Sequence, residues 1–511
     1  MRRFIAAAAV TGLALAGAVA TTPQALAQHD NNGKHKGWDN GKPQSRLAKL
    51  VEIDELREHQ RAFQTIAKYN DGNRAAGTDG GVISARYIVN QLERAGYDPT
   101  VQKFEFQYFE LVDVTFEQVA PEQVTYTAGE DFITMQYSGS GDVTAMTEPV
   151  DTQSGNSGCQ ASDFEGYPEG EIALIRRGAC TFAKKAANAA EAGAPAVVIY
   201  NEGNTPDRMG AINGTLGRPF DIPVVGASYQ LGKKLVNLAD EGLELHLATE
   251  TINEKRTARN VIAETDRGRD NNVVVAGAHF DSVPAGPGIN DNTSGTAAIL
   301  EMAQQIRHVK HVNNKVRFTF WGAEEFGLLG SQYYVDHLSQ QQLDDIALYL
   351  NYDMLGSPNF VRFIYDGDNS SGTGFQGPPG SGAIEQIYKE YFQNRGLETA
   401  PTPFNGRSDY GPFIAEGIPA GGLFSGAEGI KSEKEARIYG GTAGKQYDPC
   451  YHEACDDFDN IDLKGYSQLA DGAAYAVERF ARSTLPVNGV ANTFSTYNAP
   501  QPDRVGDHWI R

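Results

Sequence analysis

Apolar residues recur along this chain with two different periods, and the period distinguishes helices from strands. Spacings of three and four residues predict amphipathic helices, whereas alternation over 101–109 predicts a half-buried strand. Gly96 follows the second helical pattern and is a typical helix-ending residue. The predicted helices lie at 47–69, 82–95, 383–394 and 464–481.

Three apolar runs rich in β-branched and aromatic residues predict buried strands between the helices. Each run is followed within a few residues by a histidine or an acid. Strands that alternate with helices indicate a doubly wound α/β sheet, which we expect to be mixed in strand direction and flanked by helices. The three runs span 273–275, 316–321 and 346–352.

The segment 119–248 has a different sequence pattern, with short apolar runs separated by Gly, Asp and Pro. At its centre, the sequence RRG at 176–178 precedes CTF at 180–182, an alanine-rich helix to Ala192 and an apolar strand over 196–200. This order resembles the protease-associated domain, which is mainly β. We interpret the segment as an independently packed lid or spacer with no catalytic role. The ranges 47–118 and 249–485 are expected to form the main domain, followed by a tail over 486–511.

The N-terminus carries an export signal rather than part of the fold. Arg2-Arg3 is followed by an apolar run over 4–20 and by Ala25-Leu26-Ala27, a small-residue cleavage site. Residues 1–27 are therefore predicted to be a signal peptide, and the protein to be secreted. The polar stretch 28–46 is expected to be disordered or a removable pro-segment. No later run is long and apolar enough to span a membrane.

Composition disfavours some classes of binding partner but does not identify the function. The chain has 511 residues and a net charge of −21, which disfavours nucleic acid and anionic membranes as partners. Its four cysteines favour two disulfides because the protein is expected to be exported. The pairs closest in sequence are Cys159 with Cys180 and Cys450 with Cys455. A zinc site built from cysteines is the alternative, and export disfavours it.

Residues suited to bind a metal follow the predicted strands. A neutral imidazole and a carboxylate at the carboxyl end of a strand suit a divalent cation, and ligands of open α/β sheets bind at that end. Two histidines with several carboxylates and no thiolate favour Zn²⁺, with Mn²⁺ or Co²⁺ as substitutes. Two ions would need a bridging carboxylate. The candidates are His279, Asp281, Asp291, Glu324, Glu325, Asp353 and His452.

The order of these motifs resembles that of the co-catalytic zinc aminopeptidases, the family that includes secreted bacterial leucine aminopeptidases and vacuolar aminopeptidase Y. The resemblance extends to 73–77 and 406–410, and the inserted protease-associated domain is similar to that of aminopeptidase Y. It implies the zinc exopeptidase fold for the main domain. The motifs are His279-Phe280-Asp281, the stretch NDNTSG at 290–295, Glu324-Glu325, Asp353 and the CYHEAC corner at 450–455.

The resemblance implies two zinc ions per chain and a role for each matching residue. Asp291 would bridge the ions, which His279 with Asp353 and Glu325 with His452 would hold. Glu324 would act as general base on a water that bridges the metals, Asp281 would orient the imidazole of His279, Tyr451 would stabilise the oxyanion, and Arg407 would reach the backbone or carboxylate side of the substrate. The sequence gives no support for a calcium site.

The expected function is hydrolysis of a hydrophobic, leucine-like residue from the N-termini of peptides or proteins by a secreted, monomeric zinc aminopeptidase. A metallocarboxypeptidase of the glutamate carboxypeptidase type is one alternative, which the short chain beyond His452 disfavours. A catalytically dead, receptor-like binding module is the other, which the complete ligand set disfavours. Taken singly, Asp281, Asp353 and the Glu324-Glu325 pair could be capping or surface acids. Tyr451 could serve packing, and Arg407 could form a structural ion pair with Asp409.

Overall fold

The computed structural model describes residues 45–205 and 208–490. The predicted signal peptide lies outside these residues, as do most of the predicted pro-segment and most of the tail. Among the helices of the described ranges, none combines the length and the apolar character needed to cross a membrane.

Helices and strands alternate along the described chain, with a strand-rich region in its first half. The first half contains α1 (Ile53–Lys68), α2 (Asp79–Arg94), β1 (Thr100–Ala120), β2 (Val124–Thr125), β3 (Phe132–Thr134), β4 (Gly141–Val150), β5 (Ile172–Arg176), α3 (Phe182–Glu191), β6 (Val197–Tyr200), β7 (Val224–Ala227), α4 (Tyr229–Leu238) and β8 (Glu244–Glu264). The second half contains β9 (Arg269–His279), α5 (Ser294–Gln305), β10 (Asn314–Trp321), α6 (Leu329–Asp336), α7 (Gln340–Asp345), β11 (Ile346–Tyr352), β12 (Phe363–Tyr365), α8 (Ser381–Gln393), β13 (Ala400–Thr402), α9 (Tyr410–Ala415), β14 (Ala420–Phe424), α10 (Glu433–Tyr439), α11 (Leu463–Arg482) and α12 (Leu485–Asn488).

The main sheet is mixed and covered by helices on both faces, as the sequence predicted. Its strand order is β13-β12-β14-β11-β9-β10-β8. Strand β9 runs parallel to both β10 and β11, whereas β8 is antiparallel to β10.

Strand β9 lies at the centre of the sheet because its side chains fill two different cores. Val274, Ala276 and Ala278 pack into the core that contains α5 and α11, whereas Val273 and Val275 pack into the core that contains α6 and α9. Successive side chains of a strand point to opposite faces, so a strand covered on both sides is apolar throughout. This explains why the sequence shows a continuous apolar run here rather than an alternating one.

The inserted region joins the main sheet more closely than an independent lid would. Strands β1 and β8 are each 21 residues long and pair antiparallel along their length, from Thr100 opposite Ile262 to Ala120 opposite Glu244. One end of β8 pairs with β10 and the other with β4, so the described strands form one continuous sheet. The insert still has two cores of its own.

Aromatic side chains of strand β1 pack directly beside the loop that carries Glu324 and Glu325. Phe326 follows the Glu324-Glu325 pair, and its ring centroid lies 5.0 Å from that of Phe106 and 5.2 Å from that of Tyr108. The strand that leads into the insert therefore supports the loop after β10.

The predicted boundaries of the first helix and of the tail were wrong, for local reasons. The first helix begins at Ile53 rather than at 47, because Leu47 is held by its backbone N–H, which donates to Glu478 at 2.7 Å. The tail was given no fold, yet it begins with α12, where Val487 is 8% exposed and belongs to the main core. Both segments are anchored by contacts with distant residues that periodicity does not reveal.

Both expected disulfides are formed. Cys159 bonds to Cys180 within the insert, and Cys450 bonds to Cys455 in the loop that carries Tyr451 and His452.

Candidate metal centre

The candidate residues of the three predicted strands lie together at one edge of the sheet. His279 ends β9, Asp353 directly follows β11, and Glu324 comes three residues after the end of β10. Because β10 and β11 both run parallel to β9, their carboxyl ends meet at this edge.

Five side chains converge on a shared space at this edge. The Nε2 atom of His279 lies 3.2 Å from Asp291 Oδ1 and 3.4 Å from Asp353 Oδ1. The Nε2 atom of His452 lies 3.3 Å from Asp291 Oδ2 and 3.1 Å from Glu325 Oε2. The two oxygens of Asp291 thus face different imidazoles, which is the arrangement a bridging carboxylate needs.

The donor set fits a pair of divalent cations. Glu325 Oε1 and Asp353 Oδ1 are buried and accept no hydrogen bond from any described residue. Burial alone would lower the pKa of His452, but the carboxylates of Glu325 and Asp291 outweigh it and raise that pKa to about 11. Negative charge in excess around two imidazoles, with buried oxygens left unpaired, is what bound cations would neutralise.

Glu324 borders the same cluster. Its Oε2 atom lies 3.8 Å from His279 Nε2, and one ligand atom each of His279, Glu324 and Asp353 lie within 4.8 Å of one another. Burial raises the pKa of this carboxyl well above its usual range, although the nearby His279 opposes the shift.

Asp281 is fully buried and links two residues of the cluster. Its Oδ1 atom accepts the backbone N–H of Glu324 at 3.2 Å and lies 3.6 Å from Nδ1 of His279. The same Nδ1 lies 3.3 Å from the backbone carbonyl of Asp281. With both acceptors on the Nδ1 side, the proton of a neutral His279 belongs on Nδ1, which leaves Nε2 free to bind a cation.

The loop that carries Asp291 is held by side chains on either side of it. The carboxylate of Asp456 accepts the backbone N–H groups of both Asn290, at 2.8 Å, and Asp291, at 2.9 Å. Asn292 donates to the carbonyl of Tyr352 and accepts the backbone N–H of Met354. These bonds fix Asp291 between the end of β11 and the disulfide loop.

Asp353 is fixed by a chain of buried hydrogen bonds. Ser408 Oγ donates to Asp353 Oδ2 at 2.6 Å and in turn accepts from Asn351 Nδ2 at 2.8 Å. The Asn351 amide oxygen accepts the hydroxyl of Tyr349, which accepts the indole N–H of Trp321. Because Oδ2 is occupied in this way, Oδ1 is the oxygen turned toward His279.

Backbone conformations that L-residues rarely adopt recur at the site. Ala323, Met354 and His452 have φ values of 61°, 50° and 60°. Each residue either belongs to the cluster or adjoins a member of it. Such conformations cost free energy and persist where the surrounding contacts over-determine them.

Arg407 and Tyr451 meet on the solvent side of the cluster. One terminal nitrogen of Arg407 lies 3.3 Å from the hydroxyl of Tyr451, whose ring stacks on His452 at 3.8 Å. The other terminal nitrogen pairs with Glu428 at 2.6 Å. The alternative of an ion pair between Arg407 and Asp409 was therefore wrong, since Glu428 takes that place.

A cavity of about 310 Å³ opens beside the cluster. Its deep lining includes residues of the cluster and the buried apolar side chains of Met354 and Phe363, and the half-buried rings of Phe424 and Tyr447 also border it. Its mouth is polar and includes Arg407 and Glu428.

Several residues that shape the site were not predicted from the sequence. Asn290 and Asn292 flank Asp291, Ser408 lies in the stretch 406–410, and Asp456 follows the CYHEAC corner. Their position within or next to a motif was the only available signal. Glu428 had none, because an acid in a polar loop resembles any solvated acid.

Comparisons with known proteins agree with this geometry. Residues 260–477 match Peptidase family M28, and residues 140–235 match the PA domain. An aminopeptidase of Pseudomonas aeruginosa is 46% identical over 450 residues, which cover 86% of this chain and 83% of that protein. Leucine aminopeptidase 2 of Trichophyton rubrum is 36% identical over 511 residues, covering 98% and 99% of the two chains. The structure of a zinc aminopeptidase from Bacillus subtilis has a TM-score of 0.60 at 27% identity and covers 86% of this chain and 96% of its own.

Proposed function

The chain belongs to Peptidase family M28 as an aminopeptidase, and on this premise we propose that it is a secreted two-zinc enzyme that removes a hydrophobic, leucine-like residue from the N-terminus of peptides. The observation that carries the proposal is the position of Asp291, whose two oxygens face His279 and His452 separately. A carboxylate placed in this way is suited to bridge two cations.

The residues of the cluster divide into two sets of ligands. His279 and Asp353 would hold one zinc ion, Glu325 and His452 would hold the other, and Asp291 would contribute one oxygen to each. When bound, two zinc ions supply Lewis acidity and make water nucleophilic near neutral pH.

Glu324 is the residue we assign to proton transfer. It would take a proton from the attacking water and deliver it to the leaving amine. Its neighbour Glu325 lies 3.1 Å from His452 and is assigned to metal binding instead.

Tyr451 and the cavity account for substrate binding. The Tyr451 hydroxyl borders the cavity and would donate to the oxygen that becomes negatively charged as the peptide bond is attacked. The apolar lining at Met354, Phe363 and Phe424 suits a hydrophobic N-terminal side chain. The relative from Trichophyton rubrum is named a leucine aminopeptidase, which supports the same preference.

Export is supported by two features of the chain. The N-terminal sequence has the pattern of a signal peptide, and all four cysteines are paired in disulfides. We further expect a monomer that acts on peptide or protein N-termini.

Hydrolysis of leucine p-nitroanilide by the purified protein tests the proposal. We expect turnover that stops on treatment with a chelator and returns with zinc. The same substrate with an acetylated N-terminus should resist hydrolysis, because an aminopeptidase needs the free amine. Cleavage that survives acetylation would contradict the proposal. Release of glutamate from the C-terminus of an N-acetylated peptide would favour the carboxypeptidase alternative.

A further inference from the structure

The mouth of the cavity carries an ion pair that the proposed mechanism does not use. Glu428 and Arg407 pair at 2.6 Å, and their side chains are 46% and 57% exposed. The deep lining is much less accessible, since Met354 is 2% and Phe363 is 8% exposed. The next residue of a peptide whose first side chain reaches this buried lining would extend toward the exposed part of the cavity, where Arg407 and Glu428 lie.

The distance from the reacting carbonyl to this pair is short. Arg407 lies 3.3 Å from the hydroxyl of Tyr451, which borders the position of the scissile bond in the proposed function. One residue spans at most about 3.6 Å of extended chain. The terminal carboxylate of a dipeptide would therefore lie beside Arg407 and Glu428, whereas a longer peptide would present an uncharged amide there.

The charges around the mouth disfavour that carboxylate. Among the described residues that line the cavity, Arg407 is the only arginine or lysine, and Glu428 already neutralises it. Without Glu428, the guanidinium of Arg407 would be free to bind a carboxylate through two hydrogen bonds.

We infer that Glu428 is a specificity-determining residue that selects against dipeptides and in favour of peptides of three or more residues. This inference rests on the proposed function, because it assumes that the first residue occupies the deep part of the cavity. Glu428 acts through charge, by occupying Arg407 and by repelling a carboxylate placed one residue after the scissile bond.

The test compares leucyl-alanine with leucyl-alanine amide, which differ only in the terminal group, a charged carboxylate in the first and a neutral amide in the second. The measured quantity is kcat/KM for the amide divided by kcat/KM for the free dipeptide. We expect a ratio well above one for the wild-type enzyme. Glu428→Gln should lower it by about fivefold, the effect of one partly screened charge a few ångströms away. Arg407→Gln should raise it.

A matched control removes an acid elsewhere. Glu433 on α10 is exposed and pairs with Arg437, so Glu433→Gln should leave the ratio as in the wild type. High salt should lower the wild-type ratio because it screens exposed charges. An equal ratio in the wild type and Glu428→Gln, or a wild-type ratio below one, would overturn the inference. Failure of the zinc-loaded wild type to cleave leucine p-nitroanilide would instead overturn the proposed function, and the inference with it.

Discussion

Glu324 and Glu325 are adjacent in sequence but face different partners. Glu325 lies 3.1 Å from the ring nitrogen of His452, whereas Glu324 lies 3.8 Å from that of His279. We predict that Glu324→Gln keeps its zinc but loses activity by about 10²–10⁴-fold, because the amide cannot accept a proton. Metal analysis together with kcat for leucine p-nitroanilide checks this.

The neighbouring substitution is the control for that prediction. Glu325→Gln should lower the zinc content, because it removes one of the proposed ligands. If zinc were lost from Glu324→Gln and kept by Glu325→Gln, the roles of base and ligand would have to be exchanged.

Asp281 acts on the metal site without facing its centre. Its carboxylate accepts from Glu324 and lies 3.6 Å from His279 Nδ1. Asp281→Asn should weaken zinc affinity by about 10–100-fold, the usual effect of losing the partner of a ligating imidazole. Competition with a chromogenic chelator measures the change. Asp266→Asn, which alters an exposed acid near the other end of β9, should not change zinc affinity.

At the residue scale, the sequence predicted the residues that would bind the metal better than it predicted the residues that hold them in place. His279 and Asp353 could be predicted as neighbours because strand ends place them together, and Asp291 was added by the resemblance of its motif. Ser408 and Asp456 could not, since one hydroxyl or carboxylate identifies its partner only once the chain is folded. The pairing of Arg407 with Glu428 was missed for the same reason.

The disulfide between Cys450 and Cys455 closes the short loop that holds Tyr451 and His452. Replacing both cysteines with serine should cost about 2 kcal/mol of stability by chain entropy, a modest loss for so short a loop. Activity should nevertheless fall at least tenfold, because a small displacement of groups at a reacting centre has a large effect. Thermal melting and kcat/KM separate the two effects.

The second disulfide provides a comparison within the same molecule. Cys159 and Cys180 lie in the insert, 21 positions apart in the sequence, and their bond closes a longer loop. Their replacement should cost more stability, about 3 kcal/mol, with little change in kcat/KM of the folded enzyme. Equal losses of activity in the two double variants would contradict a positioning role for the Cys450–Cys455 bond.

At the element scale, the core strands and long helices followed from periodicity. Strand β11 has the predicted bounds, and α11 differs from its prediction by one residue at each end. Strand β1 was predicted to end near 109 but continues to Ala120, because its partner β8 extends equally far. Pairing between residues more than a hundred positions apart is not visible in local alternation.

The whole molecule should depend on its metal for stability. Without a cation, the carboxylates of Asp291, Glu325 and Asp353 repel one another, and two of their buried oxygens accept no hydrogen bond within the described part of the chain. Zinc that binds only the folded state stabilises it by mass action. Adding zinc in large excess over its dissociation constant to the metal-free protein should therefore raise Tm by about 5 °C or more.

Substitutions in the metal centre test whether the zinc-dependent rise in Tm arises at that centre. Glu324→Gln should keep the zinc-dependent rise in Tm, and Asp291→Asn should lose most of it. A rise that persists in full in Asp291→Asn would mean that zinc stabilises the protein from another location.

At the scale of the whole molecule, the order of motifs predicted the family and the mixed sheet. The continuity of that sheet through β8 was not predictable, because nothing in the sequence of β8 indicates that its two ends pair with different strands. Composition suggested a separate insert, and its cores are indeed separate, whereas the backbone pairing is shared.

The number of zinc ions bound per chain, measured together with aminopeptidase activity in the wild type and in Asp291→Asn, tests the central claim most directly. The account predicts two ions per wild-type chain, and loss of both bound metal and hydrolysis when the bridging carboxylate is neutralised. Full activity in Asp291→Asn, or a fully active wild-type enzyme without zinc, would contradict it.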